Sequence, residues 1–154
     1  METETIVENL EQQAIKDHVY GLGTGAVIFD EEKRMLLVQR AQTDDFLPGL
    51  FELPGGGVEH EEKLLDALKR ELFEETGFCA DNIVKYVGHF DYNSSKGKVK
   101  RQFTFIVRGK FQNGKLRLSE EHSKGVWITK SEIGNYTISH QTKEHIEMAF
   151  LNRI

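Results

Sequence analysis

Three glutamates fall within five residues, Glu71, Glu74 and Glu75, and three consecutive glycines, Gly55 to Gly57, precede them. The intervening pattern reads as a helix from about Glu62 to Thr76. At roughly 100° per residue, Glu71 and Glu75 lie one turn and about 40° apart, with Glu74 about 60° to the other side of Glu71. Leu64, Leu68 and Leu72 climb a stripe beside Glu71 and Glu75, extended by Leu65. The carboxylates therefore sit at the edge of the buried face, where their repulsion is hardest to screen. Such crowding destabilises a helix unless something binds between the charges, and an oxygen-preferring cation, Mg²⁺ or Mn²⁺, is the fitting partner. Taken alone, the same cluster also describes a solvated helix face. The residues ahead of the helix decide between the two.

Several elements must hold this stretch. Residues 4–16 read as a short polar helix with Ile6, Leu10 and Ile15 as its apolar contacts, or as a frayed terminus. VYGLGTGAVIFD, a polar turn at 31–33 and MLLVQR read as a hairpin. Glycines 21, 23 and 25 permit close approach of another element or a bulge. No helix follows them, so they are not a dinucleotide fingerprint. Residues 41–49 form a loop, and LFELP is a short extended piece leading to Gly55. Gly77 is a helix stop. Two long strands follow, NIVKYVGHFDYN and KVKRQFTFIVRGK, joined by a turn at Ser94 to Gly97; Phe103, Phe105 and Val107 give the second an apolar face. Asn113-Gly114 marks a turn, LRL a short strand, GVWITK another strand, and Ser131 to Tyr136 a helical turn. HQTKEHIEMAFLNRI closes the chain as an amphipathic helix with Ile146, Met148, Ala149 and Leu151 inward. The order predicts an α/β sandwich with a mixed sheet between helices.

At 154 residues, 38% apolar and 29% charged, the chain is expected to be one globular domain. A net charge of −5 gives no electrostatic footprint for long nucleic acid. An acidic protein that handles anionic substrates needs cations between them, which agrees with a metal site. The single cysteine, Cys79, excludes an internal disulfide framework, fits a reducing compartment, and reads as a small buried apolar residue. No apolar run approaches the roughly 18 residues of a membrane span. The acidic METETIVENLEQQ is unlike a secretory signal or transit peptide. A cytoplasmic location follows as the expectation.

Gly56, five residues, Glu62, seven residues and then Arg70-Glu71-Leu72-Phe73-Glu74-Glu75-Thr76-Gly77-Phe78 form one pattern. It resembles the Nudix box, G-x5-E-x7-R-E-U-x-E-E-x-G-U with U aliphatic or aromatic, at every defined position. By chance such a match arises on the order of once in 10⁷ chains of this size. His60-Glu61 stands where many relatives carry Pro-Gly, at positions the box leaves undefined. The flanking strand order also resembles the Nudix fold, an α/β/α sandwich with a central mixed sheet, over residues 18–154 behind the segment 1–17.

The resemblance implies roles. A carbonyl of Gly55 or Gly56 joins the metal shell, Glu71 and Glu75 supply the main ligands, and Glu74 serves a second ion or acts through water. Arg70, about 100° from Glu71 and beyond Glu74, orients a glutamate rather than holding substrate. Glu62 supports the loop and gains from the helix dipole. The implied reaction is Mg²⁺-dependent hydrolysis (Mn²⁺ as an alternative) of the pyrophosphate linkage in a nucleoside diphosphate-X compound. The base that takes the proton from water is Glu71 or a glutamate of a later loop. Of Glu120 and Glu121 in LSEEHSKGVW, Glu121 is favoured by resemblance. Arg40 and Arg101, with lysines 96, 98 and 100, are candidates for phosphate contacts. Phe46, Phe51, Phe90 and Tyr92 are candidates for stacking on a base. PGLFELPGG resembles the approach to the box in members acting on nucleoside triphosphates. The proline that some ADP-ribose hydrolases carry downstream is absent, with Asn93 and Ser94 in that region, as is the coenzyme A signature upstream. The expected substrate is thus a nucleoside triphosphate or modified nucleotide. The alternatives are a nucleotide sugar or ADP-ribose, an RNA 5′ end, or a nucleotide-sensing module without catalysis. A small-molecule partner and a homodimer complete the expectation.

Overall fold

The apolar runs of this chain are too continuous for strands with one wet face, and the folded chain buries both sides of them. A computed structural model describes residues 2–42 and 47–152. It contains α1 (Glu2–Lys16), β1 (Gly21–Val27), β2 (Met35–Arg40), β3 (Phe51–Glu52), α2 (Leu64–Thr76), β4 (Phe78–Asn93), β5 (Val99–Phe111), β6 (His122–Ile128) and α3 (His140–Leu151), with 3₁₀ turns at Gln112–Gly114 and Lys130–Asn135. One sheet has the order β1-β5-β4 and is mixed, β1 running parallel to β5 and β4 antiparallel to it. The other, β3-β2-β6, is antiparallel.

Strand alternation sorts the core into two layers. Ala26, Leu36, Val38, Phe103, Phe105 and Val107 meet Val7 and Ala14 of α1 and Leu64, Leu68 and Leu72 of α2. Val27, Met35, Leu37, Phe51 and Ile106 meet Ile146, Ala149 and Phe150 of α3. The result is the α/β/α sandwich, and it explains why MLLV in β2 is apolar without alternation.

Several local expectations change. β1 and β2 keep the polar turn, in which the Glu32 and Arg34 amides donate to Asp30 Oδ1. They form no paired hairpin beyond a Phe29–Met35 bridge. Each is buried on both faces, so each takes its partners from a sheet, β1 from β5 and β2 from β3 and β6. Residues 116–118 form no strand. They run along the end of α2, where the Arg117 and Ser119 amides donate to the Thr76 and Glu75 carbonyls left open by helix termination. α2 begins at Leu64, with Glu62 in the turn before it, and ends on Gly77 at φ 76° with its amide on the Phe73 carbonyl. In α1 the buried contacts are Val7 and Ala14, whereas Ile6 and Ile15 are exposed. In α3, Met148 and Leu151 are exposed, and His145 and Phe150 point inward beside Ile146 and Ala149. Cys79 is exposed rather than buried. Phe46 and residues 153–154 lie outside the described residues. Among the described residues, no helix is long and apolar enough to cross a membrane.

Candidate functional site

The glycine loop is stacked on β1, and only small residues allow it. Thr24 N–H donates to the Gly56 carbonyl at 2.8 Å and Ala26 N–H to the Pro54 carbonyl at 2.8 Å. The Thr24 hydroxyl donates to the Gly56 carbonyl at 3.0 Å and accepts the Gly56 amide at 3.2 Å. Gly23 bridges Gly57. Gly55 sits at φ 152°, and a methyl group on it would overlap the Thr24 carbonyl. A methyl group on Gly56 would overlap the Glu71 carboxylate. The expectation of a close approach at the β1 glycines is met here.

Over this loop α2 presents its glutamates at three depths. Glu75 is 4% exposed and receives the Gly55 amide at 3.0 Å. Burial pushes its carboxyl up to about 9; the Gly55 N–H opposes this, while the charges of Glu52, Glu71 and Glu121 add to it. Glu71 is half-buried and also raised, chiefly by burial, with Arg70 opposing. Glu74 is exposed. Arg70 ties the group together. It forks onto Glu62 at 2.8 and 2.9 Å, reaches Glu71 at 3.0 Å and Glu74 at 3.2 Å, and donates to the Gly57 carbonyl at 3.0 Å. The Glu62 carboxyl, which also accepts the Glu59 amide, is held down to about 2 by Arg70 first. Arg70 thus lies against glutamates and the glycine loop.

β6 supplies the facing wall. Donor atoms of Glu75, Glu121 and His122 all lie within 4.8 Å of one another. His122 Nε2 is 2.8 Å from Glu52 Oε2, and Arg40 Nη1 is 3.4 Å from both Glu52 oxygens. Glu52 and His122 escaped the sequence reading because they come from β3 and β6, brought together only by pairing with β2. The sole signal was that His122 follows Glu120-Glu121 directly. Glu121 is pinned at the β2 end, its carbonyl accepting the Ala41 amide.

Three clefts with shared lining residues result. The first, about 370 Å³, is lined by Glu71, Glu74, Glu75, Ser119, Glu120 and Glu121. The next, about 270 Å³, is lined by Gly55 to Gly57, Glu75, Glu121 and His122 together with Arg40, Glu52, Tyr92 and Lys100. Arg40, Glu52, Tyr92 and Lys100 also border a third cleft, about 370 Å³, with Leu47, Leu50, Leu53 and Phe90 in its wall. Glu121 lines the first two, Glu120 only the first. The donor set fits a divalent cation: a buried carboxylate with one N–H donor, in the field of the Glu71 and Glu121 carboxylates, has an unmet need for positive charge.

Two expected substrate contacts lie elsewhere. Arg101, 7% exposed, is committed to Asp91 at 2.6 and 3.0 Å and to Asp17 at 2.8 Å, and lines none of the three clefts. Phe51 is in the core beneath α3, edge-on to Tyr136 with centroids 4.9 Å apart. Arg40 and Tyr92 do line the clefts, and Lys98 lies over the Tyr20 ring instead.

The NUDIX domain family matches residues 19–149. An RNA pyrophosphohydrolase of Bartonella bacilliformis is 27% identical, over 84% of this chain and 88% of its own. A Nudix hydrolase named YfcD from Shigella flexneri is 30% identical, over 86% of this chain and 72% of its own. The crystal structure of a MutT protein from Methanosarcina mazei superposes with a TM-score of 0.72 at 24% identity, covering 88% of this chain and 97% of that one.

Proposed function

From the premise that the chain belongs to the NUDIX domain family and is a Nudix hydrolase, we propose that it cleaves the pyrophosphate linkage of a nucleoside triphosphate or modified nucleotide, releasing a nucleoside monophosphate and pyrophosphate. The observation that carries this reading is that neighbouring clefts share lining residues. The carboxylate-lined cleft has Arg40, Glu52 and Tyr92 in common with a cleft that also holds Phe90. A nucleotide spans such a path with its phosphates among the charged groups and its base against the aromatic rings.

The residues then divide the work. Glu71, Glu75 and a carbonyl of Gly55 would hold Mg²⁺ (or Mn²⁺), with Glu74 beside them. Such a cation would neutralise phosphate charge and supply Lewis-acid chemistry. Arg70 fixes Glu71 and Glu74 relative to the glycine loop. Arg40 and Lys100 line the same cleft and would meet the phosphates. Water attacks a phosphorus, the bridging P–O bond breaks, and the water's proton passes to a carboxylate. Glu121 is the choice for that carboxylate because it borders both charged clefts, whereas Glu120 borders one.

A second reading, hydrolysis at triphosphorylated RNA 5′ ends, is favoured by the Bartonella relative. The two are separated by one panel: free nucleoside triphosphates, modified nucleotides, ADP-ribose and a 5′-triphosphorylated oligonucleotide, each with Mg²⁺ or Mn²⁺. Nucleoside monophosphate and pyrophosphate from free nucleotides, lost in Glu75→Gln, is the expected result. Turnover of the oligonucleotide alone selects the second reading, and no turnover of any substrate rejects both.

A further inference from the structure

We propose that His122 donates a ring nitrogen to a divalent cation shared with Glu75 and with one oxygen of Glu121, whose other oxygen remains the proton acceptor, so that this centre is of mixed nitrogen and oxygen type. The inference rests on the reading of the cleft as a cation site and adds a ligand from β6 to those of the glutamate helix. Three observations carry it. The His122 side chain is 3% exposed, yet its Nδ1 has no hydrogen-bond partner among the described residues. A buried acceptor left unmet is costly and calls for a missing water or ion. Glu52 Oε2, 2.8 Å from Nε2, can only accept while ionised. The proton of a neutral imidazole therefore faces Glu52, and the lone pair stays on Nδ1. A carboxylate that orients a histidine in this way is the usual support of a metal-binding imidazole. Finally, one donor atom each from Glu75, Glu121 and His122 lies within 4.8 Å of the other two. Opposite ligands of a small divalent cation stand about 4 Å apart, so modest side-chain rotation brings all three onto one centre.

The consequence is selectivity. An imidazole favours Mn²⁺ and Co²⁺ over Mg²⁺ relative to an all-oxygen set. The test is pulsed electron paramagnetic resonance of Mn²⁺ bound to the full chain. Nitrogen modulation is expected, and it should change from the ¹⁴N to the ¹⁵N pattern when only histidine is ¹⁵N-labelled. This experiment needs no variant. His122→Gln is expected to abolish the modulation and weaken Mn²⁺ at least about tenfold, while Mg²⁺ affinity changes less than about threefold. Mn²⁺ bound without histidine coupling overturns the proposal and leaves the cation site standing, with a buried water as the partner of Nδ1. Failure of the chain to bind Mn²⁺ at all removes both.

Discussion

As a proposed cation ligand, Glu75 joins two demands that oppose each other, since a group 4% exposed is easiest to bury uncharged and a cation ligand must be charged. Its carboxyl titrates near 4.5 in the unfolded chain and is pushed up to about 9 in the fold. Between those values the folded chain holds a proton that the unfolded chain has released. Cation-free stability must therefore fall as pH rises across that window. Glu75→Gln removes the titration and keeps an acceptor for the Gly55 amide. Without cation at pH 8, the variant is expected to be more stable than the parent by about 4–5 kcal/mol, with the gap falling below about 1 kcal/mol by pH 5. The parent alone should gain stability on adding Mg²⁺, which displaces the proton. Urea unfolding at both pH values, with and without chelator, reads all of this. A variant less stable at both pH values would contradict it. At Arg70, Lys keeps the charge but not the fork that spans Glu62, Glu71 and Glu74. Arg70→Lys is expected to lower kcat about tenfold or more with KM within about threefold, the mark of misplaced reacting groups. A change in KM alone would assign Arg70 to substrate binding instead.

Among elements, the loop between β3 and α2 shows how three identical residues do different things. Alanine at Gly55 meets both a positive φ and the Thr24 backbone, so it should cost about 3 kcal/mol and carry activity down with it. Alanine at Gly56 meets the flexible end of Glu71, so stability should fall by no more than about 1 kcal/mol while kcat collapses. Alanine at Gly57 meets nothing within 4 Å, and stability should stay within about 0.5 kcal/mol of the parent. Melting temperatures beside kcat for the three variants test the ranking, and equal losses at all three would refute it. The glycine loop and α2 were legible in the sequence because their logic is local: helical angle, a leucine stripe, a stop at Gly77. Glu52 and His122 were not, since their meeting depends on which strands flank β2. The β1 and β2 pairing misled for the same reason, as adjacency in sequence suggests a hairpin while burial on both faces requires separate sheets. Arg101 read as a phosphate contact because its acidic partners stand 10 and 84 residues away. In α3, helical spacing found Ile146 and Ala149 but set the stripe too far toward Met148 and Leu151.

For the molecule as a whole, Arg101 is the point where separate layers are fastened. Its guanidinium reaches Asp17 just after α1 and Asp91 of β4, and the Asp91 carbonyl accepts from Gln141 of α3. Hydrogen bonds from Arg101 are the first cause holding both aspartate carboxyls below their usual value. For groups depressed in the fold, the added stability is present above the usual carboxylate range and is lost as pH falls through the folded values. The parent should therefore shed this contribution below about pH 4. The triad is also asymmetric: Arg101 is buried, while the Asp17 and Asp91 side chains are 37% and 41% exposed. Arg101→Met leaves two carboxylates that water can solvate and removes a buried charge, so it should cost only about 1–2 kcal/mol. Asp17→Asn with Asp91→Asn leaves a buried guanidinium without a counter-charge, and should cost more than Arg101→Met. Combining all three changes should restore much of that loss, because the stranded charge is gone. Urea unfolding from pH 7 to pH 3 separates these outcomes. If Arg101→Met were the most damaging of the set, the aspartates would be passengers and the aliphatic stem of Arg101 its main contribution.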